Sequence, residues 1–202
     1  MSQVPHGGSV ASRWVQRWSH LVAPGATVLD VACGSGRHVR WFAERGCRVT
    51  GVDRDGAALA PLSELAEVVQ ADIESDPWPF GGRQFDAVIV TNYLWRPLLP
   101  WILASVAGGG VLIWETFSAG NETVGKPSNP QFLLRPGELL TAVQGLHVLA
   151  FEDGFEDSPD RFVQRIVAVR AGRASAAPAR HRLSGSAAAA GQVKSFDSED
   201  LP

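Results

Sequence analysis

The segment Thr27-Val-Leu-Asp-Val-Ala-Cys-Gly-Ser-Gly-Arg-His-Val-Arg-Trp-Phe-Ala-Glu-Arg-Gly46 restricts this chain more than any other. Val28, Leu29 and Val31 read as a short buried strand, Gly34-Ser-Gly36 as a tight turn, and Val39, Trp41, Phe42 and Ala43 as the apolar face of a helix closed by Gly46. Glycine suits such a turn because a Cβ would hold a ligand away from the backbone, and the helix start that follows offers unpaired N–H groups. Roughly 20 residues on, a second strand, Cys47-Arg-Val-Thr-Gly-Val-Asp53, ends in an acid, the place from which a carboxylate accepts both hydroxyls of a ribose. Turn and acid together predict a nucleoside site. The dinucleotide pattern GxGxxG is not intact, because Val39 stands at its third glycine.

The remaining chain alternates helix and strand. Val10 to Val22 has helical spacing of Val10, Trp14, Trp18, Leu21 and Val22, with Ser9 as candidate N-cap. A helix from about Asp55 to Leu65 is shortened or kinked by Pro61. Val68, Val69 and Ala71 form a third strand, followed by Asp72 and Ile73. Phe85-Asp-Ala-Val-Ile-Val90 is a strand covered on both faces, and Thr91-Asn-Tyr-Leu-Trp-Arg96 follows it. Pro97 to Ala107 gives a helix, Val111 to Glu115 a fifth strand, and Arg135 to Gln144 another helix with Pro136 in its first turn. Leu146 to Glu152 and Arg161 to Arg170, with no helix between them, predict an antiparallel hairpin. Asp30, Asp53 and Asp72 thus lie at or near the C-terminal ends of three successive strands, the edge of a parallel sheet where ligands bind.

Composition narrows the function classes. With 202 residues, 45% hydrophobic, one core of ordinary size can form. The formal net charge of −3 supplies no basic field, so nucleic acid is disfavoured as the main partner. Cys33 and Cys47 are the only cysteines and read as two reduced, small apolar residues. The N-terminus has no secretion signal, and the uncharged stretch Pro97 to Trp114 is broken by prolines and by Gly108-Gly-Gly110, so no membrane span is expected. The chain reads as cytoplasmic, with residues 1–8 flexible, a domain over 9–170, and a disordered tail over 171–202 rich in Ala, Ser, Gly and Arg. Oligomeric state is left open.

The pattern Asp30-x-Ala32-x-Gly34-x-Gly36 resembles motif I of the class I S-adenosylmethionine-dependent methyltransferases, with Ala32 at the first of the usual three glycines. The resemblance runs from about Val10 to Arg170. It implies an α/β three-layer sandwich around a seven-stranded Rossmann-like sheet, order 3-2-1-4-5-7-6, with strand 7 antiparallel. It also implies the cofactor S-adenosyl-L-methionine and the product S-adenosyl-L-homocysteine. Carried over residue by residue, Asp30, Ala32, Cys33, Gly34 and Gly36 belong to the cofactor turn. Asp53 takes the ribose, Asp72 the adenine amino group beside the Ile73 backbone, and Arg54 lines the adenosine; Thr91 and Asn92 match the motif IV region beside the sulfonium.

From Asn92-Tyr-Leu-Trp-Arg-Pro through Trp-Glu-Thr-Phe, Gly-Asn-Glu and Gly-Lys-Pro-Ser-Asn-Pro, the chain looks like a bacterial subgroup related to the tellurite-resistance methyltransferases. The long connection from Thr116 to Leu134 leaves the ligand edge, as binding loops do. Tyr93, Trp95, Arg96, Glu115, Asn121, Lys126, Asn129 and Arg135 are therefore candidates for a small-molecule acceptor site, with Asn92, Tyr93 and Glu115 as candidates for aligning it. Methyl transfer from a sulfonium needs alignment more than acid-base chemistry, and no catalytic base is marked; His38, nearest the turn, is the histidine to watch. No metal-ligand cluster is visible. A nicotinamide-dependent oxidoreductase also wants a glycine turn and an acid, but the sole tyrosine, Tyr93, has Pro97 rather than lysine four residues on. A nonenzymatic module that binds the cofactor or its product stays open. The Asn-Pro-Pro-Tyr type motif of amino-methylating nucleic-acid enzymes is absent.

Overall fold

A computed structural model describes residues 10–172 and 180–185. In chain order it contains α1 (Arg13–Trp18), β1 (Thr27–Val31), α2 (Arg37–Ala43), β2 (Arg48–Asp53), α3 (Gly56–Leu59) and β3 (Glu67–Gln70). These are followed by β4 (Phe85–Thr91), α4 (Leu99–Ala104), β5 (Val106–Phe117), α5 (Glu138–Ala142), β6 (His147–Asp157) and β7 (Asp160–Val169). The seven strands form one sheet in the order β3-β2-β1-β4-β5-β7-β6. The first five run parallel, and β7 is antiparallel to both its neighbours. This is the expected architecture, including the reversed strand.

Strand alternation sends side chains to two cores. Val28, Ala87, Ile89, Val111 and Ile113 pack with Trp14, Val15 and Trp18 of α1, Val39 and Phe42 of α2 and Leu59 of α3. Leu29, Val31, Val88, Val90, Leu112 and Trp114 face the other way, against Ile102 of α4 and Leu139 of α5. Burial of a side chain of this size is worth about 1.5–3 kcal/mol each, so two such layers hold the strand ends rigidly in register.

The helices are shorter than their periodicity suggests. α1 begins at Arg13, where the Ser12 hydroxyl accepts from the Val15 N–H, and gives way to a 3-10 turn at Ser19–Leu21; the expected cap Ser9 lies outside the described residues. Asp55 caps α3, and the turn containing Pro61 is 3-10 rather than α, the shortening expected of a proline. Arg135-Pro136-Gly137 is a turn with Gly137 at φ 69°, so α5 starts only at Glu138. The hairpin is longer than expected: Asp153–Asp157 continues β6, where Gly154 pairs with Val163 and Glu156 with Arg161. The glycine triplet 108–110 sits inside β5, where the register with β4 shifts between Phe85 and Ala87.

The readings of residues 1–8 as flexible and of most of the tail as disordered fall outside the described residues. The described stretch 180–185 lies against the end of α1, where the Arg182 carbonyl oxygen is 2.9 Å from His20 Nε2. Among the described residues no helix is long and apolar enough to cross a membrane.

Candidate active site

Backbone conformation explains the glycine turn. Ala32, Gly34 and Gly36 all lie in the left-handed region, at φ 52°, 54° and 77°. An alanine can sit there only with strain of order 1 kcal/mol, which accounts for the glycine that the resembled motif prefers at position 32. A Cβ on Gly36 would collide with the Leu62 side chain, whereas one on Gly34 would meet nothing within 4 Å. Gly36 is required by packing; Gly34 leaves a shelf open toward the ligand edge. Asp53 braces that shelf: its carboxylate accepts from the Gly34 N–H at 2.8 Å and from the Asp55 N–H at 3.0 Å. A carboxylate has about four acceptor positions, so two remain for a ribose.

Asp30 lies beneath the turn, fully buried, and among the described residues neither carboxyl oxygen has a hydrogen-bond partner. Burial pushes its pKa up to about 8 against the opposing pull of Arg37. An orphaned buried carboxyl is costly unless a donor arrives, and an ammonium would be such a donor. Asp72 stands two residues beyond β3, its Oδ1 accepting from the Glu74 N–H, while Ile73 points into the core. Arg54 is exposed just past β2. The Cys33 side chain is buried against the open side of Gly51, and burial with the nearby Asp30 and Asp53 carboxylates pushes its thiol pKa far up. Only the Cys33 backbone therefore belongs to the turn.

A second set of polar groups lies between this turn and β5. His38 Nε2 accepts from the Ser12 N–H at 3.2 Å, so the ring proton is on Nδ1, 3.4 Å from Thr91 Oγ1 and 3.9 Å from Asp30 Oδ1. Burial lowers its pKa to about 3, so His38 is neutral and makes no ion pair with Asp30. Arg37 donates to Thr91 Oγ1 at 3.4 Å and has no carboxylate within ion-pair distance among the described residues. Burial lowers its pKa, with Glu115 and Asp30 opposing the shift. Glu115 is buried; its Oε2 accepts from Arg165 at 3.1 Å with Arg161 at 3.8 Å, and its Oε1 has no partner. Sequence reasoning noted His38 but missed Arg37. The available signal was its place directly after Gly36, in the first turn of α2 at the ligand edge.

On the other side, the ends of β4 and β5 open into a cavity of about 150 Å³ lined by Glu74, Asn92, Tyr93, Leu94, Thr116, Phe117, Pro127 and Phe132. Asn92 is strained at φ 54°, and among the described residues no donor reaches its buried Oδ1; the Tyr93 hydroxyl is buried with the Glu74 carboxylate beside it. Burial, with that carboxylate, pushes the Tyr93 hydroxyl pKa up. Asn92 and Tyr93 are thus brought to the cavity, and Thr116 to Leu134 supplies part of its wall.

The other acceptor candidates are placed differently. Arg96 is clamped bidentately to Glu138 at 2.7 and 2.9 Å and donates to the Gln131 and Leu133 carbonyls. Asn121 is buried, accepting from the Phe162 N–H and donating to the Pro127 carbonyl. Asn129 caps the 3-10 turn Pro130–Phe132. Trp95 packs against the core. Lys126 and Arg135 are exposed, and neither they nor Glu115 line the cavity. The wall residues Phe117, Pro127 and Phe132 were not foreseen, since apolar residues in a loop carry no mark of being at a site. Among the described residues, no three His, Cys, Asp or Glu side chains are grouped to hold a metal ion.

Comparison with known proteins bears on this geometry. The Methyltransferase domain family matches residues 28–108, the span from β1 into β5 that carries the turn. The fold is that of a class I methyltransferase. TehB from Haemophilus influenzae superposes with a TM-score of 0.61 at 18% identity, over 75% of this chain and 59% of that one. Burkholderia thailandensis 1,6-didemethyltoxoflavin-N1-methyltransferase, solved with 1,6-didemethyltoxoflavin and S-adenosylhomocysteine, gives 0.59 at 19% identity, over 78% and 76%. In sequence, malonyl-[acyl-carrier protein] O-methyltransferase of Serratia marcescens is 35% identical over 112 residues, 48% of this chain and 41% of the relative. The chain spans less than half the length of the curated methyltransferases it matches.

Proposed function

We propose that this protein transfers a methyl group from S-adenosylmethionine to a small-molecule acceptor. The observation that carries the reading is the adjacency of the Asp53-braced glycine turn to a cavity with unspent polar groups at the ends of β4 and β5. The residues fit the cofactor. Asp53 keeps two acceptor positions for the ribose hydroxyls, and Asp72, with the Ile73 backbone, would take the adenine edge. The orphaned Asp30 suits the ammonium of the methionine part, and Arg37, lacking a carboxylate partner, suits its carboxylate. When bound, the cofactor supplies an activated methyl carbon on a sulfonium. Asn92 and Tyr93 orient the acceptor, and the Phe117 and Phe132 walls exclude water from it. Alignment of this kind is worth several orders of magnitude in rate without a strong base. The reading includes a cytoplasmic location, where thiols such as Cys33 and Cys47 stay reduced, and no role for nucleic acid.

Calorimetry with S-adenosylmethionine, S-adenosylhomocysteine and NAD in parallel tests it. Saturable binding of the first two and none of NAD is the expected result. NAD binding with neither of the others would transfer the site to the oxidoreductases.

A further inference from the structure

The cavity between β4 and β5 has a composition that goes beyond providing space. Three of its lining residues are aromatic, Tyr93, Phe117 and the partly exposed Phe132, and a fourth is Glu74, whose side chain also reaches solvent. Asn92 Oδ1 adds a buried oxygen with no donor among the described residues. No lysine, arginine or histidine lines it. Lys126, next to Pro127 in sequence, is exposed and outside it, Arg54 is exposed and outside the wall though its charge reaches the Tyr93 hydroxyl, and Arg96 is held by Glu138. The aromatic faces carry negative charge, so together with a carboxylate and a lone amide oxygen they attract a cation or an N–H donor and repel an oxyanion. In volume, about 150 Å³ matches an engineered apolar cavity in another protein that takes a single benzene ring.

We propose that the methyl acceptor is a compact amine, no bulkier at its reacting end than one six-membered ring, recognised by the aromatic walls and Glu74. This deepens the methyltransferase reading and rests on it. The amine is attracted as an ammonium and reacts as the free amine after its proton passes to solvent water. The nitrogen lone pair then forms the N–C bond as the C–S bond breaks, with the bonding electrons staying on sulfur. The sulfur becomes a neutral thioether, and the product leaves as the methylated ammonium. Carboxylate and phosphate oxygens are excluded as acceptors because nothing on the wall neutralises them.

The test uses the full chain at saturating S-adenosylhomocysteine with three one-ring probes that differ in their head group: benzylamine, benzyl alcohol and benzoate. Benzylamine should bind at least about tenfold tighter than benzoate, with the alcohol between them, as expected of a cation near aromatic faces and a carboxylate. Glu74→Gln should shrink the amine-to-benzoate ratio to within about threefold; taking a ratio inside one variant cancels any general loosening of the pocket. Benzoate binding as tightly as benzylamine, or a ratio unchanged in Glu74→Gln, overturns the assignment while leaving the methyltransferase reading intact. Failure of S-adenosylhomocysteine itself to bind overturns both.

Discussion

At the ends of β1 and β2 the polar side chains keep bonding capacity to spare, whereas most of those offered between β4 and α5 have spent theirs on the protein. Among the described residues, Asp30 has two unpaired oxygens, Arg37 no carboxylate partner, and Asp53 two free acceptor positions beyond its two backbone bonds. Arg96, Asn121 and Asn129, by contrast, hold the loop from Thr116 to Leu134 in shape, and the space they enclose is walled by rings. A polar residue near a ligand edge is thus a stronger candidate for the site when bonding positions are left over. One half offers a ligand unsatisfied hydrogen-bonding groups, and the other offers shape and aromatic surface.

The sharpest way to break this contrast is at Asp30. Its folded pKa is raised from 3.8 to about 8, so the native state holds a proton that the unfolded chain has lost, and stability falls as pH rises from about 4 to 8. Asp30→Asn removes that cost. The variant should be more stable than the parent at pH 7 by a few kcal/mol, with the gap closing toward pH 4, while its affinity for S-adenosylhomocysteine drops. Urea unfolding at pH 4, 5.5 and 7 reads the gap, and a pH-independent difference would sink the assignment of an orphaned carboxyl.

Next in size is Asp53→Ala, which removes the proposed ribose acceptor and the brace on Gly34. A loss of about 2–4 kcal/mol in S-adenosylhomocysteine binding is expected. Unchanged affinity in the folded variant would be fatal to the ribose role.

Arg96→Ala tests the opposite half. It strips Glu138 of its guanidinium and should cost about 2 kcal/mol of stability, measured by urea midpoint. Cofactor-product affinity should stay within about threefold. If binding collapsed while the fold held, Arg96 would belong to the site and not to the frame.

The smallest effect belongs to Lys126→Ala. The side chain is exposed and outside the cavity, so affinity for S-adenosylhomocysteine should change by less than about 0.7 kcal/mol. A larger change would mean that the loop reaches across to the first half.

Sequence read the two halves unequally, for a physical reason. The turn from Asp30 to Gly36 is a local device: its left-handed residues and the following helix are encoded within a few positions, and Asp53 closes it one strand later. Strand order came from resemblance, since periodicity specifies strands without their neighbours. The acceptor half is built from distant pairs: Arg96 finds Glu138 across 42 residues and Asn121 finds Phe162 across 41. Nothing local distinguishes those side chains from free ones, so sequence marks as candidates residues that the fold pairs within the protein. Phe117 and Phe132 were passed over because an aromatic ring in a loop looks like ordinary packing. Helix ends erred where a glycine or proline turn, such as Arg135-Pro136-Gly137, reads as the first turn of a helix.

The placement of β7 between β5 and β6 has a consequence for the order in which the molecule is assembled. Three anchors of the acceptor half belong to that strand. Phe162 bonds Ser118 and Asn121 through its backbone, Gln164 ties Arg135 and the start of α5, and Arg165 neutralises Glu115. The strand is separated from β5 in sequence by α5 and β6, so its pairing closes a long loop and is slow relative to the local β1-to-β2 crossover. A growing chain can therefore complete the glycine turn and its aspartates while the cavity between β4 and β5 still lacks the strand that holds its loop shut. On the methyltransferase reading, the acceptor cavity is the part of the site expected to close last, after the cofactor turn is in place.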